Sequence, residues 1–130
     1  MRPPCEVVVK EVLPAMRAML VRELTERHQM NQVEVARRLG ITQPAVSHYL
    51  RMARGVRQKS PVIKSLEKRV GEFACEISNR NLNHKQMIAS YCGICRSLSK
   101  KQILCLLHFK TAPYLQREGC SVCFSGKRSG

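Results

Sequence analysis

Apolar residues recur at intervals of three and four along much of this chain, which is the spacing of one face of an α-helix. Val12, Met16, Met19, Leu20 and Leu24 predict a first helix, with Pro14 in the opening turn where its missing N–H has no intrahelical partner anyway. Val35 and Leu39, four apart with Ala36 beside them, predict a second; Val46 and Leu50 predict a third. Ile63, Leu66, Val70, Phe73 and Ile77 follow at steps of three, four, three and four, in a helix opened by Ser60 as cap and Pro61 as first residue. That stripe reads as a heptad-like seam for pairing two chains or as an ordinary buried face. The run NRNLN, residues 79–83, breaks the pattern before a further helix from His84 toward Tyr91, and Ile103, Leu106 and Leu107 suggest one more short helix. Arg2 to Val9 starts with two prolines and has no clear period, so an extended arm is expected there. The fold class is all-α.

The punctuation between the second and third helices is the most informative stretch. Asn31 is placed to cap the second helix, and Glu34, three residues on, to reach back to the cap's own N–H as in a capping box. Gly40 supplies a left-handed turn at little cost, Ile41 plugs the gap between the helices, and Thr42 caps the next helix. Pro44 fits that helix's first turn. Two short helices joined in this way form a helix-turn-helix. With Val46 and Leu50 turned inward, Gln43, Pro44, Ser47, His48 and Arg51 face outward, where a recognition helix meets base edges in the major groove.

The order Gln32, Ala36, Gly40 and then ITQPAVSHYL resembles the phage-repressor-like helix-turn-helix family over about a third of the chain. The resemblance implies base reading by Gln43 and Ser47, with Gln32 supporting the contact to the DNA backbone. Thr42, Pro44 and His48 complete the candidate surface, and Arg51 and Arg54, directly after the reader, are the phosphate candidates.

Charge strengthens the nucleic-acid reading. Across 130 residues, 23 Lys and Arg face nine acidic residues, for a net +14. The excess is greatest beyond residue 55, so the second half is also expected to meet a polyanion. No apolar stretch approaches the ~18 residues of a membrane span. The opening MRPPCEVVVKEVLPAM has only a three-residue apolar run and reads as no signal peptide, so a cytoplasmic location is expected.

Seven cysteines in a reducing compartment suggest ligands or redox groups more than a disulfide frame. Cys92 and Cys95 form one CxxC and Cys120 and Cys123 another, each able to present two thiolates to one metal from a tight turn. Cys105 and His108, spaced CxxH, are alternative ligands. Thiolate sets suit an iron-sulfur cluster or zinc, and spacing does not choose between them. Cys75 sits on the apolar stripe and is expected to be a small core residue; Cys5 has no assigned role.

The combination of the N-terminal PCEVVV arm, the repressor-like reader and the C-terminal cysteine array resembles a family of archaeal helix-turn-helix regulators. It implies a metal-dependent sensor, with an iron-sulfur cluster as the favoured cofactor and zinc as the alternative. Three segments are then expected: a DNA-binding domain over 1–55, a linker and dimerisation helix over 56–82, and a cysteine-rich module over 83–130. The partners are double-stranded DNA and a second copy of the chain, with no membrane and no evident small-molecule substrate. A Cys105–His108 pair lacks an evident orienting acid or oxyanion hole, so an enzyme is not expected. A non-specific, zinc-containing nucleic-acid-binding protein is a further alternative.

Overall fold

The computed structural model describes residues 6, 8–55, 61–100, 105, 108–110 and 112–121; the side chains of Val8, Arg54, residues 61–63, Ser99 and Lys100 fall outside the description. Among the described residues all regular structure is helical: α1 (Leu13–Glu26), α2 (Gln32–Leu39), α3 (Gln43–Gly55), α4 (Pro61–Asn79), α5 (His84–Lys100) and the short α6 (Pro113–Arg117). A single π-helical turn, Val8–Val12, leads into α1.

α1 is the central post. Its apolar stripe buries Met16, Leu20 and Leu24 completely, and it packs against α3 on one side and α4 on the other. Burial of each such side chain favours folding by roughly 1.5–3 kcal/mol before the entropy of ordering the chain is counted. Val35 and Ala36 of α2 and Val46 of α3 join this core, and Met87, Ile94 and Leu98 of α5 extend it through α4. Phe73 of α4 meets Tyr91 of α5 edge to face, with ring centroids 5.0 Å apart.

The stripe on α4 has its partner within the chain. Leu66, Val70, Phe73 and Ile77 are all buried in the common core, so these positions offer no open seam to a second copy. A helix that fills the side of α1 satisfies the same three-and-four spacing as a coiled coil, which is why periodicity alone did not separate the two. Cys75, expected in the core, is instead exposed. It lies two residues before Ile77, a spacing that turns a helical side chain off the buried face.

Two other expectations change. Glu6, Val8 and Val9, placed in an extended arm, are helical; residues 2–5 and Val7 lie outside the described residues. Buried Val12 anchors this opening turn, and Pro14, lacking an N–H, interrupts the α-type ladder where the wider π turn joins α1. The helix starting at His84 passes Tyr91 and continues to Lys100. Asn83 and Gln86 start it with a reciprocal capping box, N–H to side-chain oxygen at 2.9 and 3.0 Å. Gly93, worth only about 1 kcal/mol against a helix, does not stop it because Ile94 and Leu98 bury the next turns.

Candidate nucleic-acid interface

Entry to α2 is set by backbone geometry. Just beyond α1, Gln29 is in the left-handed region (φ 56°), and the Met30 N–H donates to the Leu24 carbonyl at 3.1 Å. The chain then turns into Asn31, whose extended backbone and side-chain Oδ1 cap α2 by accepting the Glu34 N–H at 2.8 Å. At the other end Gly40 is left-handed (φ 66°), and Ile41 donates its N–H to the Ala36 carbonyl at 3.0 Å. An L side chain at Gly40 would be strained by that φ rather than by lack of space. Thr42 Oγ1 then accepts the Ala45 N–H at 3.2 Å and starts α3.

These caps present one face of α3. Val46 is fully buried, Leu50 half-buried against the core, and Thr42, Gln43, Pro44, His48 and Arg51 are exposed. Ser47 is half-buried for a specific reason: its hydroxyl donates to Gln32 Oε1 at 2.7 Å, across the crossing of α2 and α3. Gln32, Thr42, Gln43, Pro44, Ser47, His48 and Arg51 therefore belong to adjoining turns of one surface, whereas the Arg54 side chain lies outside the description.

Glu34 departs from the expected capping box. Its Oε1 accepts from Arg37 Nη2 at 2.7 Å and from Arg38 Nε at 2.8 Å, so the carboxylate points along the helix instead of back to the cap. Hydrogen bonding by the Arg37 guanidinium, and then by that of Arg38, lowers its pKa to about 2. Arg38 also reaches away from α2. Its Nη1 donates to the Ile77 carbonyl at 2.8 Å and sits 3.4 Å from that of Arg80, tying α2 to the end of α4. These carbonyls belong to the last turn and its exit, where a helix has no internal donors left. The tie joins residues about 40 apart in sequence; no local pattern announced it.

The cysteines are differently placed from expectation. Cys92 and Cys95 stand one turn apart on the continuous α5, not in a tight turn, with Cys92 exposed and Cys95 partly buried. Burial pushes the Cys95 thiol pKa up, and neighbouring Cys92 acts in the same direction. Cys105 and His108 are buried and Cys120 is partly buried, while Cys5 and Cys123 lie outside the described residues. Among the described residues no three His, Cys, Asp or Glu side chains come close enough together to hold a metal ion. The proposed four-thiolate set depends on Cys123, which lies outside the described residues.

Cys75 has a different neighbour. Its Sγ lies 3.8 Å from His28 Nε2 along a groove of about 800 Å³ between α1 and α4. No described helix is long and apolar enough to cross a membrane. No family model, curated protein or solved structure matches the chain.

Proposed function

We propose that this chain is a sequence-specific DNA-binding transcriptional regulator that inserts the exposed face of α3 into the major groove. The observation that carries the reading is the assembled reader: a capped α2, a left-handed Gly40 and a capped α3 turn Gln43, Ser47, His48 and Arg51 outward from one core. Gln43, at the start of α3, has the amide that pairs bidentately with adenine, and Arg51 supplies a charge for a phosphate. A net charge of +14 supplies the non-specific attraction on which such readers depend. On this reading the chain binds and does not catalyse.

The proposal includes pairing of two copies on a two-fold operator, because one short reader contacts only a half-site. The apolar stripe of α4 is filled by its own chain, so that face is not the pairing surface. Iron-sulfur sensing by the cysteine module, with structural zinc as the alternative, rests on the two CxxC spacings and on the resemblance to archaeal regulators. Selection of bound duplexes from a randomised pool tests the main reading. Enrichment of one motif that fades in Gln43→Ala supports it, and recovery of unrelated sequences by the wild-type chain defeats it.

A further inference from the structure

A serine hydroxyl has one proton to donate and two lone pairs with which to accept, so whichever partner takes the proton decides what the group can still recognise. In this chain that choice is already made. Ser47 donates to Gln32 Oε1 at 2.7 Å, and a carbonyl oxygen has no proton to return. The bond bridges the two helices of the reader, whose relative setting is held by Gly40 and by the caps at Asn31 and Thr42. A serine within a helix often spends its proton on a carbonyl one turn back; here the proton goes across the crossing, and the oxygen stays on the α3 face.

We infer that Gln32 makes Ser47 an obligate acceptor, so that Ser47 selects a base carrying an exocyclic amino group. The inference rests on the DNA-reading proposal and names the chemistry it reads at one position. In the major groove, amino donors are carried by adenine and cytosine, whereas the ring nitrogens of purines and the carbonyl oxygens of guanine and thymine only accept. With its proton engaged, Ser47 Oγ pairs with the first group and meets the second lone pair to lone pair. Gln32 keeps both protons of its amide nitrogen, which suits it to a phosphate oxygen beside the groove. The bond thus divides the work of two side chains. Gln32 holds the backbone and orients the hydroxyl, while Ser47 reads the base. Gln32 is in this sense a positioning residue for discrimination.

The test is a set of functional-group deletions in a duplex recovered by selection with the full chain. Each adenine is replaced in turn by purine, each cytosine by 2-pyrimidinone, each purine by its analogue with carbon in place of the major-groove ring nitrogen, and each base pair by the other three. Affinities are compared for wild type, Ser47→Ala, Gln32→Leu and Gln32→Glu, with circular dichroism confirming the helical content of each variant. Comparison across protein variants cancels the cost of each deletion to the duplex itself. One amino deletion should weaken wild-type binding by roughly five- to tenfold and have no such effect in Ser47→Ala. Gln32→Leu, whose Ser47 hydroxyl can donate as well as accept, should keep that penalty but lose the wild type's rejection of guanine or thymine at that position. Gln32→Glu keeps an acceptor and should retain both at lower overall affinity. Coupling of Ser47 to a ring-nitrogen deletion, coupling to no deletion, or an unchanged rejection of guanine and thymine in Gln32→Leu would overturn the inference while leaving base reading by Gln43 intact. If wild type enriches no sequence, the DNA-reading proposal itself fails, which is a separate result.

Discussion

Replacing Arg38 by alanine removes the polar tie between α2 and α4, and its cost follows from what the guanidinium touches. The bond from Nη1 to the Ile77 carbonyl, 2.8 Å and part-buried, has a charged donor, and such bonds contribute roughly 1.5–3 kcal/mol. The pair with Glu34 adds little, because ion pairs four residues apart on a helix are worth about 0.3–0.5 kcal/mol and Arg37 still holds that carboxylate. About 2 kcal/mol is therefore expected from urea unfolding. With roughly 2.1 cal/mol/K of unfolding entropy per residue, a domain of this size should lose about 7 °C in Tm. Arg37→Ala is the internal control: its side chain is 65% exposed against 23% for Arg38, and it shares only the Glu34 contact. It should change stability by less than about 0.5 kcal/mol. Arg38→Lys keeps the charge without the fork and should fall between the two. Equal stabilities for Arg38→Ala and Arg37→Ala would refute the claim that this tie holds α2 to α4.

Three further outcomes are expected. Phe73→Ala should cost roughly 3–5 kcal/mol of folding stability, because the ring is buried within the chain; a stable, folded monomer produced from a dimer by this change would restore the pairing role of the α4 stripe. Glu34, with its pKa lowered from 4.5 to about 2, contributes stability that is present above the unfolded value and lost as pH falls through that window. Glu34→Gln should flatten acid unfolding between those pH values, and an unchanged profile would count against the pairing. Anaerobically purified protein should show visible absorption that Cys92→Ser and Cys120→Ser each abolish. One tightly held zinc without colour would favour the structural alternative, and absence of both metals would remove the cofactor proposal.

Local signals in the sequence located most of the fold. The spacing of Val12, Met16, Leu20 and Leu24 marked α1, and Asn31, Gly40 and Thr42 marked α2, the turn and α3 through caps that involve only neighbouring residues. What remained illegible was non-local. The α4 stripe matches a pairing seam as well as it matches a bed against α1, and only the packing distinguishes them. Nothing local singles out Arg38, since its partners are backbone carbonyls far along the chain. The run past Tyr91 was misread because Cys92 and Cys95 were expected in a tight turn, without the burial of Ile94 and Leu98 on either side of Cys95 that continues the helix. For the candidate site the outward face of α3 was legible from the positions of Val46 and Leu50. The Gln32–Ser47 bond was not, because it requires the crossing geometry of two helices.

The central claim is base-specific recognition by α3, and the ratio of specific to non-specific affinity tests it most directly. Wild-type protein would be titrated, at one fixed salt concentration, with a duplex recovered by selection and with a scrambled duplex of the same length and composition. A sequence-specific regulator should prefer the first by about a thousandfold or more. Gln43→Ala should narrow that gap by roughly 1–3 kcal/mol at one base pair, while Arg51→Ala should weaken both complexes alike and reduce the salt dependence by about one released counterion. A wild-type ratio near one, unchanged by Gln43→Ala, would contradict the account.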